Sequence, residues 1–373
     1  MRHRVYMAAG LLAVVLLFVS GLQAEVITEA TLGSGYQGNL FNDANSTGDT
    51  YGSAGLRLKY YPSASAEFAA GASYNAFVTY NDLSSLTADA SATFIPTSQT
   101  SPLTLAIAGN ISYRKFGLLY ELYDQGAAMG GVDMGYRIAP WAHLLGSASY
   151  FNSTYTNADY GSNRGVNASA GINLSLLGSN SIAIRADYSR RLYDQPAIVT
   201  TGQGMSRNND QTVTETFEIA GVLLRFSRPL GVRTGLNLSF GHRALLVNNE
   251  FAVPGYTVDY LSPWSDLWEG NSVSATLKHF FPGQVTTEFS AAYFDKSYVD
   301  AIESVDEASD TFVLQSRDDQ LTTATLSLAR PILLQNGHLL TPMISAGYRQ
   351  NASSIDSYDY QDFWTSLSLK VAF

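Results

Sequence analysis

The end of the chain alternates between apolar and polar side chains without a break. One face of residues 363–373 carries Phe363, Thr365, Leu367, Leu369, Val371 and Phe373, and the other carries Trp364, Ser366, Ser368, Lys370 and Ala372. Successive side chains of a β-strand point to opposite faces, whereas a helix repeats every 3.6 residues. The segment is therefore a strand with one apolar face that ends at an aromatic carboxyl terminus.

The same two-residue alternation recurs upstream, for example in residues 56–60, 68–78, 103–114 and 182–189. Many of these runs extend over about 9–14 residues, the length that a tilted strand needs to cross a bilayer. Strands of globular proteins are usually about 5–6 residues long. After residue 24, no stretch has the roughly 18 consecutive apolar residues of a membrane-spanning helix.

The composition is poor in charge and rich in Tyr and Gly. Charged residues make up 14% of the chain, whereas a typical soluble domain has about 25%. The sequence holds 23 Tyr and 31 Gly. A membrane β-barrel has these features, because its outer face meets lipid, its lumen is polar and its rims carry aromatic residues. A large extracellular β-sandwich or β-helix also fits the composition alone.

Short and long connectors alternate along the chain. The short ones are rich in Pro, Gly and Ser and lie at 62–65, 140–141, 178–180, 228–231, 282–284 and 335–337. The long ones are polar and acidic and lie at 42–50, 195–211, 248–269 and 301–319. Turns at one end and loops at the other are typical of bacterial barrels. The sequence thus predicts an all-β fold, a transmembrane antiparallel barrel of about 16 strands (about 14 to 18) in up-and-down order.

The first residues have the pattern of a secretory signal. Arg2 and Arg4 precede an apolar run, residues 7–19, and a cleavage site follows Ala24. The run is too short to span a membrane, which takes about 20 apolar residues. We therefore predict a signal peptide at residues 1–24 and an outer-membrane barrel at residues 25–373.

The net charge and the absence of cysteine restrict the partners. The formal net charge is −10 at pH 7, which argues against nucleic acid. The chain has no cysteine, so neither a disulfide nor a lipid-anchored cysteine is available. The predicted fold must be held together by its hydrogen-bonded sheet.

No motif indicates catalysis. His143, His242, His279 and His338 lack the spacing of a metal site. The glycines of residues 33–38 have the spacing G-x-G-x-x-G, but they lie inside a predicted strand that no helix follows, unlike a dinucleotide site. We predict no catalytic, cofactor-binding or metal-binding residues, and we expect that the chain is not an enzyme.

Seven basic residues lie opposite the apolar face of their predicted strands. Arg or Lys on a lipid face near the bilayer centre costs about 2–4 kcal/mol, so these residues should point inward. We expect the pore-lining residues to be Arg57, Lys59, Arg114, Arg185, Arg191, Lys278 and Lys370. They could line a water-filled pore or pair across a plugged lumen. Barrels of 16 strands usually enclose a channel, which favours the pore. The acidic loops would form its mouth.

The terminal strand resembles the closing strand of Gram-negative outer-membrane β-barrels. In that family the terminal Phe is part of the signal read by the insertion machinery, which implies this role for Phe373. The resemblance also implies an outer-membrane location and contacts with membrane lipid, lipopolysaccharide and the barrel-assembly machinery. Residues 25–373 as a whole resemble 16-stranded porins, which implies passive diffusion of small hydrophilic solutes. The segment that corresponds to the long constriction loop of trimeric porins, residues 117–122, is short.

The last hairpins support an alternative function. Residues 317–319, 326–330, 341–342, 348–351 and 353–360 resemble the end of the barrel of surface lipoprotein assembly modifiers. That family has a helical-repeat domain, and its barrel helps to export a partner. The resemblance implies a barrel sheath or export conduit for a periplasmic partner, either a secreted protein or an electron-carrying cytochrome.

Overall fold

The computed structural model describes residues 25–373 except 99, 158–160, 202–203, 248–266 and 307–310. The predicted signal peptide, residues 1–24, lies outside the described residues and stays a prediction. The predicted loop at 248–269 is described only at its last residues.

Most of the described chain is strand. The strands are β1 (Glu25–Gln37), β2 (Asp49–Ser63), β3 (Ala66–Phe77), β4 (Ser85–Phe94), β5 (Leu103–Phe116), β6 (Gln125–Ala139), β7 (Ala142–Tyr155), β8 (Asn163–Ser175), β9 (Ser181–Thr201), β10 (Gly204–Pro229), β11 (Thr234–Val247), β12 (Trp268–Phe280), β13 (Thr286–Asp306), β14 (Thr311–Ala329), β15 (Ile332–Leu333), β16 (Leu339–Ser353) and β17 (Tyr360–Ala372). Short 3-10 helices occupy Asn81–Leu83, Leu118–Tyr123, Leu177–Ser179 and Asp356–Tyr358. No helix in the described part of the chain is long and apolar enough to span a membrane.

The strands form one closed sheet. Each long strand pairs antiparallel with its neighbours in the chain, and β1 pairs with β17. The two-residue strand β15 lies in the connection between β14 and β16, which pair directly with each other. The molecule is therefore a 16-stranded up-and-down barrel, which confirms the predicted fold class and strand count. Closure gives each of the sixteen long strands a hydrogen-bonded neighbour on both sides along the barrel wall.

The two ends of the barrel differ. We call the end that holds Glu25 and Phe373 the turn end, and the opposite end the loop end. Phe373 closes the turn end, because its N–H donates to the Thr28 carbonyl at 2.9 Å and its carbonyl accepts from the Thr28 N–H at 2.8 Å. The connections of 64–65 and 140–141 lie at the turn end, and those of 38–48 and 117–124 lie at the loop end.

Two predicted loops are wrong. Residues 195–201 and 204–211 continue β9 and β10 as a paired hairpin, and 301–306 and 311–319 continue β13 and β14. Residues 195–201 are rich in Thr, Val and Ile, whose β-branched side chains favour strands, and 301–306 and 311–319 also contain such residues. Residues 204–211 contain none and form strand by pairing with β9. Polarity indicates contact with water and does not exclude a hydrogen-bonded ladder.

The outer face of the barrel is apolar. Large hydrophobic side chains that are more than a third exposed recur at even spacings along the strands, as in Leu32 and Tyr36, Leu86 and Phe94, Ile107 and Ile111, Val222 and Leu224, and Leu367 and Leu369. The intervening positions face inward and are mostly small or polar. An apolar outside and a polar inside are the reverse of a soluble β-sheet protein and suit contact with the hydrocarbon of a membrane.

Candidate functional site

The inner wall carries its clearest charge cluster at the junction of the first and last strands. Oε1 of Glu29 on β1 accepts from Nζ of Lys59 on β2 and from Nζ of Lys370 on β17, each at 3.0 Å. One carboxylate thus links three strands and leaves the cluster with one net positive charge. The contact between Glu29 and Lys370 joins the two ends of the described chain across the closing strand pair.

A second ion pair bridges an entire strand. Nη1 of Arg57 on β2 lies 3.1 Å from Oδ2 of Asp89 on β4. Gly71 of β3 is directly opposite both residues in the register. A Cβ atom at Gly71 would lie 3.1 Å from the Asp89 carboxylate and 3.5 Å from Cγ of Arg57. The glycine therefore gives the two side chains room to meet across β3.

Two further predicted pore-lining residues are paired with acids. Nε of Arg185 lies 2.9 Å from Oδ1 of Asp187, two residues along β9. Nζ of Lys278 on β12 lies 3.7 Å from Oε2 of Glu288, its partner on β13. Acidic and basic groups thus lie close together on the wall, so its electrostatic field is weaker than the number of bases suggests.

The remaining two predicted residues differ. The guanidinium of Arg191 donates to the Tyr193 hydroxyl at 3.4 Å and lies 5.8 Å from the centroid of the Phe151 ring. Arg114 is exposed on the inner face opposite Gln125, and it makes no ion pair with any described residue. The structure places all seven residues on the inner wall by strand register, whereas their role in conduction stays a prediction.

The inner ion pairs are in contact with water. The side chains of Arg185, Lys278 and Lys370 are 50%, 47% and 46% exposed. Charged pairs in a packed interior would be almost completely buried, because desolvation is costly unless every polar atom is bonded. The inner wall is therefore accessible to water around these three bases.

Buried aspartates fasten the loops at the loop end. Asp49 accepts from the backbone N–H groups of Thr50, Thr79 and Tyr80 at 2.7, 2.8 and 2.8 Å. In the same way Asp124 accepts from the N–H of Phe116 at 2.7 Å, and Asp362 accepts from the N–H of Asn39 at 2.9 Å. Each carboxylate ties one strand to a neighbouring strand end or loop.

We expect Asp49→Ala to loosen the connection at residues 78–84. The substitution leaves the N–H groups of Thr79 and Tyr80 without their acceptor, which should cost about 2–3 kcal/mol in local stability. Amide hydrogen exchange at these two residues should accelerate roughly 30-fold or more. Asp43→Ala is the control, because Asp43 accepts from the exposed N–H of Asn45. Equal exchange rates in both variants would contradict the prediction.

An aromatic cluster joins three connections at the loop end. Leu40, Leu83 and Phe116 are buried, and Phe41, Phe77, Tyr80, Tyr120 and Tyr123 pack against them. Burial raises the pKa of the Tyr120 hydroxyl, and the nearby Tyr80 and Asp82 add to the shift. The segment 117–122 packs on its neighbour here, since the Gly117 N–H donates to the Asp82 carbonyl at 2.9 Å.

A second apolar cluster lies on the inner face of β9–β11. Tyr193, Phe217 and Ile219 are buried together with Leu267, and Leu245 packs against them. Leu267 immediately precedes β12, so the chain turns inward at this point. Sequence reasoning expected a polar inner face throughout and did not predict this cluster.

The sequence analysis did not predict several basic residues of the inner wall. By register they are Arg137, Arg225, Arg243, Lys296, Arg317 and Arg349. Arg137 and Arg225 lie on strands whose alternation is weak in the sequence, and Arg317 lies in a segment that was predicted to be a loop. The Arg317 guanidinium is buried, bonded to Asp319 and 3.7 Å from the centroid of the Tyr358 ring. Residue parity on correctly placed strands would have identified these bases.

The closed sheet, the apolar outside and the wet inner wall together define the fold class. The chain has an outer-membrane-type β-barrel fold. No protein-family model matches the sequence, and no curated protein matches it. Among solved structures, OccK3 (OpdO) of Pseudomonas aeruginosa is 12% identical with a TM-score of 0.47, and the match covers 94% of this chain and 96% of that one.

Two other solved structures give similar figures. OccAB1 of Acinetobacter baumannii is 11% identical with a TM-score of 0.48, over 94% of this chain and 97% of that one. A bacterial polysaccharide outer-membrane secretin is 8% identical with a TM-score of 0.49, over 93% and 98%.

Proposed function

We propose that the barrel is an outer-membrane channel for the passive diffusion of small hydrophilic solutes. The observation that carries this proposal is the half-exposed state of ion pairs on the inner wall, such as Arg185 with Asp187. Sixteen strands about 4.8 Å apart, tilted by about 40°, give a backbone diameter of roughly 30 Å. Side chains as short as Ser, Ala and Gly leave much of that width to water.

The orientation follows from the two ends and from the membrane. The turn end, with both described termini, would face the periplasm, and the loop end would face outward. The apolar outer face would meet lipid and, in the outer leaflet, lipopolysaccharide. Phe373 is 53% exposed at the turn end, where the barrel-assembly machinery could read it.

The mechanism would be diffusion past a narrowed loop end. The cluster around Leu40 and Phe116 and the cluster around Tyr193 and Phe217 occupy two sides of that end. Below them the wall is lined by hydroxyls and by paired charges, as in the hydrogen bond between Ser147 and Ser169 at 2.7 Å. Wall charge then tunes which ions pass.

Reconstitution into a planar lipid bilayer tests the proposal. Purified folded protein should give stepwise increases in current at constant voltage, and the same preparation after heat denaturation should give none. Solutes of a few hundred daltons should also equilibrate across liposomes that contain the barrel. Insertion of folded protein without current or solute flux would overturn the channel proposal.

One observation favours the second candidate, a sheath or export conduit for a periplasmic partner. Turn-end connections carry very exposed apolar residues, among them Trp141, Leu177, Val232 and Leu333, of which Leu177 and Val232 are almost fully or fully exposed. The connection between β2 and β3 has none of these, with Ala64 flanked by serines. Exposed apolar turns at this end of the barrel would suit the docking of a protein. A silent bilayer, together with a periplasmic protein that co-purifies with the barrel, would favour this function.

A further inference from the structure

Five consecutive strands place a row of side chains directly opposite one another near the turn end. Arg137 on β6 pairs with His143 on β7, and His143 pairs with Asn173 on β8. Asn173 pairs with Ala183 on β9, and Ala183 pairs with Arg225 on β10. Residues that are directly opposite in a sheet share one face, so the five side chains form a continuous row.

The row faces the lumen. On β6 the neighbours of Arg137 in the sequence, Tyr136 and Ile138, are 45% and 54% exposed on the outer, apolar face. On β10 Leu224 is 44% exposed on the same outer face. Side chains alternate along a strand, so Arg137 and Arg225 point inward.

The row has an excess of positive charge. Arg137 and Arg225 are exposed, and neither makes an ion pair with any residue in the described ranges. Arg185 lies diagonally next to Arg225, because its direct partner on β10 is Leu223. Arg185 is bonded to Asp187, the acid that contacts this group. Of the three guanidiniums only that of Arg185 is paired with a carboxylate of the described residues, whereas Lys278 and Arg57 elsewhere on the wall each have a carboxylate partner.

The centre of the row also offers an amide with spare bonding capacity. Oδ1 of Asn173 is buried and has no hydrogen-bond partner among the described residues. The NH2 group of the same amide supplies two N–H donors for a bound oxyanion. His143 beside it can donate a hydrogen bond from its imidazole.

We propose that this basic row binds the oxyanions of small solutes, such as carboxylate, phosphate or sulfate groups, as they pass the turn end of the lumen. Guanidiniums form two parallel charge-assisted hydrogen bonds with such groups, and these bonds are stronger than those between neutral groups. This inference rests on the proposed channel function and names the solute class that the channel favours. Arg225, with Arg185 beside it, forms one end of the row, and Arg137 with His143 forms the other.

Phosphate binding to the folded barrel tests the row without any need for current. Line broadening of the inorganic phosphate signal in ³¹P NMR should report binding to the wild-type barrel in detergent. The double variant Arg137→Gln/Arg225→Gln should bind phosphate about tenfold more weakly or worse, because each change removes a charge-assisted hydrogen-bond donor. Acetate, titrated in competition, distinguishes a general oxyanion site from one that is specific for phosphate.

The matched control removes two paired bases instead. Lys59→Gln/Lys278→Gln lowers the wall charge by the same amount, but both lysines already have carboxylate partners. This variant should keep its phosphate affinity within about twofold. In bilayers, phosphate should reduce the chloride current of the wild type and of the control, and not that of the Arg137/Arg225 variant. Equal phosphate affinities in the wild type and the Arg137/Arg225 variant would contradict oxyanion binding by the row. An absence of current, with phosphate binding intact, would contradict the channel function alone.

Discussion

A chain that ends at residue 359 is expected not to form a barrel. The deletion removes β17, which pairs with β1 from Glu29 to Gln37 and with β16 from Leu339 to Asn351. Two strand edges would then face lipid, where each unpaired backbone group costs several kcal/mol. The truncated protein should lose the β-sheet signal in circular dichroism after refolding into detergent micelles, and it should lose resistance to dodecyl sulfate at room temperature.

The control for this deletion is Phe373→Ala. This change keeps the two backbone hydrogen bonds between residue 373 and Thr28, so the variant should refold in vitro nearly as well as the wild type. If the terminal aromatic side chain is read by the assembly machinery, the same variant should accumulate less in the membrane of cells. Refolding of the truncated chain to the wild-type signal would contradict the pairing argument.

An arginine at residue 367, on the outer face, is expected to destabilise the barrel far more than an arginine at residue 366, which faces the lumen. Leu367 is 55% exposed on the outer face in the middle of β17, between Ser34 and Ile344. Leu367→Arg should lower the free energy of unfolding from lipid vesicles by about 2–4 kcal/mol, because the guanidinium would lie in hydrocarbon. Reversible denaturant titration in liposomes measures this change.

Ser366→Arg is the matched control on the same strand. Ser366 faces the lumen, where its direct partners are Gly35 and Ser345, both small. An arginine there can extend into water, so we expect a change of less than about 1 kcal/mol. If both substitutions destabilise the barrel equally, the assignment of the two faces of β17 is wrong.

The strands with strong alternation were predictable almost to the residue. The alternating runs of residues 68–78 and 103–114 match β3 (Ala66–Phe77) and β5 (Leu103–Phe116) to within two residues at each end. Lipid on one side and water on the other impose a strict period of two, and this period is visible in a single sequence. β9 and β10 continue beyond the ends of their neighbours β8 and β11. In these extensions the two-residue period of the sequence is weak, and their polar residues predict a loop instead of a strand.

The candidate site was predictable only in part. Parity on strongly alternating strands identified Arg57, Lys59 and Lys370 as inner-wall residues, because a charge on the lipid side is costly. The carboxylate that Lys59 and Lys370 share was not predictable, since Glu29 lies 30 residues from Lys59 and at the other end of the sequence from Lys370. The inner-wall position of Arg137 and Arg225 was not predicted, because the alternation of apolar and polar residues in β6 and β10 is weak.

The sequence by itself determined the class of structure and the facing of most side chains, because both follow from the two-residue period that ends at Phe373. Only the closed sheet decided which charges meet. Register is set by hydrogen bonds between whole strands, and around the barrel it aligns in one row residues such as Arg137 and Arg225, which lie on β6 and β10. A period along one strand contains no information about its alignment with the next, so the basic row and the cluster at Glu29 exist only in the tertiary structure.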